Sequence, residues 1–431
     1  MAPPPSSSTS THFHLSPPTT TPLKLTTQEE IEPHLKPLIL TSSTLSSLSL
    51  SGTSLGAPAS AHLSTHFPAL THLRSANLAD IFTSRLLAEI PPALDSLLTG
   101  LLQCPRLEEI DLSDNAFGLN TVAPLTSYLS RAASLRVLRL QNNGLGPNAG
   151  AQIADALLRL AELKAQTPTA AKLEVIVCGR NRLESGSMGA WARMLEAHGE
   201  GLKEVRMVQN GIRQEGIVKI LEEGLGKCGG LERVDLQDNT FTVSGAQSLA
   251  KVVGRWGQLK ELGVGDSLLG RRGAVVLADV LAKGGNKGLE VLRLQYNEID
   301  ASGVAAIRRA VEGGLPRLRR LELNGNKFAE EDEGVEGLRL LLEKRKEEAG
   351  IEEEMEGEWG LDEFSDLEEE SDEEDEGDED DEEKEEEEEE EEAKRETVLK
   401  DADEEENQKV AEKKDKDVDD LADALGKTHV Q

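Results

Sequence analysis

Leucine and other aliphatic residues recur along the chain in one fixed order: an aliphatic, two residues, an aliphatic, one residue, an aliphatic, two residues, often asparagine, one residue, and an apolar position. The order is carried by LSSLSLSGTSL from Leu45, LTHLRSANLAD from Leu70, LEEIDLSDNAF from Leu107, LRVLRLQNNGL from Leu135 and LEVIVCGRNRL from Leu173. It continues in LKEVRMVQNGI from Leu202, LERVDLQDNTF from Leu231, LKELGVGDSLL from Leu259, LEVLRLQYNEI from Leu289 and LRRLELNGNKF from Leu318. Starts are separated by 25, 37, 28, 38, 29, 29, 28, 30 and 29 residues, so the unit is 28 or 29 residues and two units carry insertions of roughly nine. Alternation inside the pattern predicts a short strand with its aliphatic residues turned to a core. Between strands, stretches such as AGAQIADALLRLAEL, SGAQSLAKVVGRW and GAVVLADVLAKGG space their apolar residues by three and four, which predicts helices.

Strand plus helix at this period is the leucine-rich repeat, and the fold class is α/β: a ribonuclease-inhibitor-like horseshoe of about 10–11 strand–helix repeats. Asn115, Asn143, Asn181, Asn210, Asn239, Asn297 and Asn326 hold the asparagine position and are expected to satisfy backbone groups where each strand turns away. Residues 1–22 are rich in Pro, Ser and Thr and are expected to be disordered; 23–348 form the repeat domain, opening with a cap over 23–40. Residues 349–431 read as an acidic, mostly disordered tail, with helical spacing only in VDDLADALGKTHV.

Charge sharpens that division. Ile351–Gln431 hold 42 acidic and 9 basic residues against chain totals of 81 and 47, so the body is near neutral and the tail carries about −33. That balance argues against nucleic acid and membrane surfaces as partners and leaves basic proteins. Cys104, Cys178 and Cys228 are too scattered for a disulfide framework or a CxxC site. The absence of a long apolar run and of a signal-peptide start predicts a soluble intracellular protein.

Enzymatic signatures fail. GLGPNAG (Gly144 to Gly150) has the wrong glycine spacing for a dinucleotide loop, and Gly426-Lys427-Thr428 lacks the upstream glycine of a Walker A motif. Eight histidines, mostly in the first 72 residues, suggest neither a metal cluster nor a triad, so no autonomous active site, cofactor or metal is expected. Function then falls to exposed columns. The column before the asparagine reads Gly52, Asn77, Asp114, Asn142, Arg180, Gln209, Asp238, Asp266, Tyr296 and Gly325. The exposed strand column reads Ser49, Arg74, Asp111, Arg139, Val177, Arg206, Asp235, Gly263, Arg293 and Glu322, alternating in sign enough for neighbours to pair. A solvated or internally paired rim and a polar protein-binding surface are both consistent with these columns. The first insertion, ANLADIFTSRLLAEIPPALDSLLTGLLQC, places Arg85 where it projects from the rim beside the next two repeats, unless it is an ordinary helix-start arginine.

DIFTSR (80–85), LSDNAFG (112–118), NNGLGPNAG (142–150), CGRNRLESGSM (178–188), MVQNGIRQEGI (207–217), DLQDNTFT (235–242), LRLQYNEI (292–299) and LELNGNKFAEED (321–332) resemble the Ran GTPase-activating protein family over about residues 23–370. The acidic tail matches too. The resemblance implies activation of GTP hydrolysis on Ran in its GTP form, keeping the cytoplasmic pool in the GDP form so that nuclear transport has direction. GTP and Mg²⁺ would belong to the partner, and dependence on a Ran-binding accessory protein stays open. It implies a mechanism without an arginine finger, in which Asn142 helps to hold Ran's catalytic glutamine and Asn143 is structural. Arg85 corresponds to the family's functionally important arginine, with a role in docking or loop ordering, and Asp114, Arg180, Gln209, Asp238, Asp266 and Tyr296 are the candidate partner contacts. No Trp-Pro-Pro signature of the plant forms is present and the chain ends in its acidic tail rather than the globular domain of the animal forms. The layout is fungal-like, and a monomer in the cytoplasm, with perinuclear or nuclear presence open, is expected. A non-enzymatic scaffold or inhibitor using the same rim is the competing reading, and a basic-protein chaperone acting through the tail ranks behind it.

Overall fold

The computed structural model describes residues 11–15, 23–167, 169–350 and 357–367, all within the compact unit Met1–Glu370. The acidic run beyond Leu367 and VDDLADALGKTHV lie outside the described residues. The strands are β1 (His12–His14), β2 (Leu23–Leu25), β3 (Ser47–Ser49), β4 (Thr53–Leu55), β5 (Ser75–Asn77), β6 (Glu109–Asp111) and β7 (Val137–Arg139). They continue as β8 (Val175–Val177), β9 (Glu204–Arg206), β10 (Arg233–Asp235), β11 (Glu261–Gly263), β12 (Val291–Arg293), β13 (Arg320–Glu322) and β14 (Gly360–Leu361). Twelve of them form one parallel sheet in the order β1-β3-β5-β6-β7-β8-β9-β10-β11-β12-β13-β14, while β2 and β4 pair separately. The strand–helix solenoid expected from the periodicity is the fold.

Its construction follows from three-residue strands. The middle residue of each repeat strand, Leu48, Ala76, Ile110, Leu138, Ile176, Val205, Val234, Leu262, Leu292 and Leu321, is at most 1% exposed, and its two neighbours face the other way. Equal register from one strand to the next stacks these residues into one continuous core. Each buried leucine contributes about 1.5–3 kcal/mol, and each repeat packs only on its neighbours.

Helices close the other side: α1 (Gln28–Ile31), α2 (Lys36–Thr41), α3 (Ala57–Ser64), α4 (Ile90–Leu101), α5 (Val122–Leu129), α6 (Gly146–Ala165) and α7 (Glu184–His198). After them come α8 (Gln214–Lys219), α9 (Thr242–Val253), α10 (Gly270–Leu281), α11 (Ala301–Gly313) and α12 (Glu333–Ala349). In α6 the buried face is Ala149, Gly150, Ile153, Ala154, Ala156, Leu157, Leu160 and Ala161, the three-and-four spacing read from the sequence. Gly150 is required there, because a Cβ would stand 2.5 Å from Leu183 Cδ2 of the next repeat. The second insertion is absorbed by the 20-residue length of α6. Near its end the Lys164 ammonium donates to the carbonyls of Ala133 and Leu135, both at 2.7 Å, and to that of Ala171, tying adjacent repeats together.

Three expectations are corrected. The second repeat begins at Leu73 rather than Leu70, because β5 pairs Ala76 with Leu48 and with Ile110. Its rim residue is therefore Asp80 and not Asn77, its outer strand residue is Asn77 and not Arg74, and its insertion is shorter than the spacing suggested. Both Leu70 and Leu73 are fully buried, so hydrophobicity alone cannot choose between them. The N-terminal stretch is not structureless throughout, since His12–His14 add a strand beside β3 and bury Phe13 and Leu15 over the first core layer.

The third correction concerns the tail, whose start is part of the fold. Gly360 and Leu361 pair with Arg320 and Leu321, and the Asp362 carboxylate accepts from Leu323 N at 2.7 Å and Asn324 N at 3.0 Å, backbone donors that a further repeat would otherwise meet. Phe364 meets Phe328 edge to face at 5.5 Å, and Leu361 and Leu367 pack on the core. Residues 357–367 are the C-terminal cap of the solenoid.

Candidate functional site

Each repeat leaves its strand through a turn whose geometry is set by the structural asparagine. Asn143 is typical: Nδ2 donates to the carbonyls of Leu112, Leu140 and Gln141, while Oδ1 accepts the Asn115 N–H of the preceding repeat. Asn115, Asn181, Asn210, Asn239, Asn297 and Asn326 repeat the scheme, so all seven are buried fold residues as expected. Ser267 stands in the eighth repeat, where its hydroxyl reaches only Gly265 O.

The residue before each of these positions is left-handed. Asp80, Asp114, Asn142, Arg180, Gln209, Asp238, Asp266 and Tyr296 have φ between 50° and 60°. The N–H of each donates to a carbonyl one repeat further on: Asp114 to Gln141, Asn142 to Gly179, Arg180 to Val208, Gln209 to Gln237, Asp238 to Gly265, Asp266 to Gln295 and Tyr296 to Asn324. The backbone being engaged, the side chains project from one continuous rim, about 4.8 Å per repeat. Every candidate contact residue read from the sequence lies on this rim, in order.

Within the line, Asn142 and Asn143 separate cleanly. Asn143 is 1% exposed, whereas Asn142 is exposed and its Nδ2 donates to Asp114 Oδ1 at 2.8 Å. The following glycines, Gly144 (φ 60°) and Gly146 (φ 70°), carry the left-handed turn into α6, whose first turn takes Pro147. These glycines serve the turn. Further along, the Asp238 carboxyl is raised above its ordinary range, first by burial and then by Asp266, against a hydrogen bond from Gln209. Tyr296 is already engaged: its hydroxyl donates to Asp366 Oδ2 of the C-terminal cap at 2.8 Å, and this bond is the first cause of a raised Tyr296 and a lowered Asp366.

Arg85 is the residue that sequence spacing misplaced. Its guanidinium points back into the β2–β4 pair rather than out beside the next two repeats. Nε donates to Ser54 Oγ at 2.9 Å, Nη1 to Thr26 Oγ1 at 3.0 Å, and Nη2 to the carbonyls of Leu25 (3.1 Å) and Ser54. Ser54 Oγ in turn donates to Thr83 O at 2.7 Å, and Gly56 leaves room for the guanidinium, a Cβ there standing 3.1 Å from Nη1. Asn142 bonds to Asp114, whereas Arg85 turns to β2, Thr26 and β4 and does not project from the rim beside the next two repeats. What Arg85 holds is the loop with left-handed Asp80 and Ser84, leaving Leu86 and Leu87 73% and 53% exposed.

The strand face is different in kind. Along its edge Arg74, Glu108, Arg136, Glu174 and Lys203 form an unbroken chain of ion pairs, resumed by Glu232 with Lys260 and by Glu290, Arg319 and Glu358. A second row joins Arg206, Glu204, Arg233, Glu261, Arg293, Glu322 and Arg320, and Arg139 pairs with Glu109. Each pair is worth little, about 0–1 kcal/mol, but together they neutralise that face. The sign alternation from repeat to repeat is readable in the sequence at the position after each first leucine, three residues before the exposed strand column. Arg180, Arg182 and Asp266 carry no ion pair or side-chain hydrogen bond among the described residues. Neither a three-ligand metal cluster nor a helix long and apolar enough to cross a membrane is present among them.

Comparison with known proteins shows what the chain is similar to. The family described as Leucine Rich repeat matches residues 231–250 and 285–307. Over 329 residues the chain is 41% identical to Ran GTPase-activating protein 1 of Saccharomyces cerevisiae, covering 75% of this chain and 80% of the relative. It is 33% identical over 334 residues to the Ran GTPase-activating protein of Drosophila melanogaster, covering 75% of this chain and 55% of that one. Ribonuclease inhibitor of Sus scrofa is 30% identical over 247 residues, covering 56% of this chain and 50% of the relative.

Proposed function

The chain belongs to the Ran GTPase-activating protein family, and from that premise we propose that it stimulates GTP hydrolysis on Ran by orienting a catalytic residue of the GTPase from its rim. The reaction is Ran's own: GTP and Mg²⁺ arrive on the partner, the substrate is the GTP form, and the activator contributes no nucleophile or cofactor.

One observation carries the mechanism. The exposed Asn142 amide is fixed by Asp114, so one Nδ2 hydrogen is used while the other, and Oδ1, face outward. An amide so held presents a donor and an acceptor in known positions, which suits capture of the amide of Ran's catalytic glutamine. Aligning that glutamine aligns the attacking water, and phosphoryl transfer responds mainly to alignment and preorganised charge.

Arg85 supports the rim from behind. With four hydrogen bonds, three to β2 and β4 and one to Thr26 just after β2, it orders the 80–87 loop and is a positioning residue, in place of the finger that inserts into other GTPases. That the strand face spends its charges on its own ion pairs supports a docking surface on the rim instead. Activity in the cytoplasm keeps Ran there in its GDP form and so gives nuclear transport its direction.

The test is single-turnover hydrolysis of radiolabelled GTP on Ran with saturating activator. Acceleration by several orders of magnitude is expected. Hydrolysis at Ran's intrinsic rate overturns the proposal and returns the rim to the scaffold reading.

A further inference from the structure

An amide on the rim is aligned only as well as the turn that carries it. The turn of Asn142 is held from the preceding repeat by two residues in succession. The Asp114 N–H donates to the Gln141 carbonyl at 2.9 Å, and the Asp114 carboxylate accepts from Asn142 Nδ2 at 2.8 Å. A third bond comes from Ser113, whose Oγ accepts the Gln141 N–H at 3.2 Å. Both backbone groups of Gln141 are therefore engaged from one side, the N–H by Ser113 and the carbonyl by Asp114, and the left-handed Asn142 (φ 55°) follows directly. Ser113 is itself fixed: it is 8% exposed, and its N–H donates to Asp111 Oδ1 at 3.0 Å.

The Ser113 hook is not part of the repeat. In the next six repeats the same position is Gln141, Gly179, Val208, Gln237, Gly265 and Gln295, and among the described residues none of these offers a side chain to the backbone of the following repeat. Those boundaries stack on strand pairing and the asparagine column alone. The bond from Ser113 is added at the boundary that precedes Asn142, where the turn bears an exposed amide already tied to Asp114.

We propose that Ser113 is a further positioning residue for activation, fixing the peptide before Asn142 so that the amide meets the catalytic glutamine of the GTPase already aligned. The inference rests on the activator reading and adds to it a buried residue that acts through Asn142. Without the hydroxyl, the Gln141 N–H loses its acceptor and the peptide can turn, so the Asn142 amide is present but spread over several orientations. Docking uses the whole rim and changes little. The loss falls on the step in which the glutamine is aligned.

The experiment measures kcat and KM for hydrolysis on Ran in its GTP form with wild type, Ser113→Ala, Asn142→Ala and the double variant, and the melting temperature of each. Ser113→Ala is expected to lower kcat about tenfold and to leave KM within about twofold of wild type. The double variant is expected to be no slower than Asn142→Ala, because Ser113 acts only through that amide; a residue that merely supports the fold would multiply its loss onto the other. A wild-type kcat in Ser113→Ala, a raised KM in its place, a double variant slowed by both factors, or a Ser113→Ala chain unfolded at the assay temperature overturns the assignment, while the activator reading stands on the rates of wild type and Asn142→Ala. If wild type leaves Ran at its intrinsic rate, or Asn142→Ala equals wild type, the orienting mechanism itself falls and the role of Ser113 with it.

Discussion

Asn142 donates its side-chain amide to the Asp114 carboxylate at 2.8 Å, across one repeat boundary and on the exposed rim, while its neighbour Asn143 spends the same chemical group inside the wall. Identical side chains one position apart thus divide between the exposed rim and the buried wall. Asn142→Ala is expected to lower single-turnover activation about 10²–10³-fold with an unchanged melting temperature, by loss of a preorganised donor. Asp114→Ala leaves the amide present but unaligned, with an expected loss of roughly tenfold. Equal rates for wild type and Asn142→Ala contradict the orienting role.

Asn143→Ala, by contrast, is expected to act on stability first. Three carbonyls and one N–H lose their partner in a buried site, at a cost of about 2–4 kcal/mol. Urea denaturation measures it; a midpoint within error of wild type rules out the hydrogen-bond account of the asparagine column.

For Arg85 the prediction separates ordering from direct chemistry. Arg85→Ala is expected to lower both stability, by roughly 1–3 kcal/mol, and activation. Ser54→Ala, which touches no partner and removes one anchor and the link to Thr83, is expected to reproduce part of the activation loss. Full activity in Ser54→Ala, with Arg85→Ala inactive, indicates instead that the guanidinium meets the GTPase itself.

The C-terminal cap changes how the tail has to be tested. Truncation after Glu348 removes Asp362, Phe364 and β14 as well as the acidic run, so it mixes folding with charge. Ending the chain at Leu367 is expected to keep the wild-type melting temperature, whereas ending it at Gly350 is expected to lower stability by about 2–4 kcal/mol through exposed core and unpaired strand groups. Only the longer form tests the acidic residues for an effect on association rate with Ran and its salt dependence.

His198 supplies a pH dependence. Burial pushes its pKa down to about 4, against an interaction of Nε2 with Leu157 O at 3.0 Å, so the folded protein holds it neutral where an unfolded chain, with a pKa near 6.5, takes up the proton. Its contribution is therefore present in full above pH 6.5 and lost as pH falls through 4, on the order of 2 kcal/mol. Denaturation of wild type and His198→Gln at pH 7 and pH 4.5 is expected to show a smaller fall in the variant; equal falls exclude His198 as the source.

The sequence by itself determined the repeat, the strand–helix alternation, the seven asparagines and the rim column from Asp114 to Tyr296, because in a solenoid each of these depends on local spacing and nearest neighbours. It also contained the sign alternation from Glu108 to Arg319, visible once the repeats are stacked. The tertiary structure decided what depends on pairing between distant segments. The phase of the second repeat is set by the Leu48, Ala76 and Ile110 register, since both candidate leucines are buried. The direction of Arg85 follows from acceptors at Leu25, Thr26 and Ser54, up to 60 residues away. The end of the domain lies in Asp362 and Phe364 because the last strand's unpaired N–H groups and exposed core layer require a cover, and that requirement is a property of the finished stack rather than of the acidic segment that meets it.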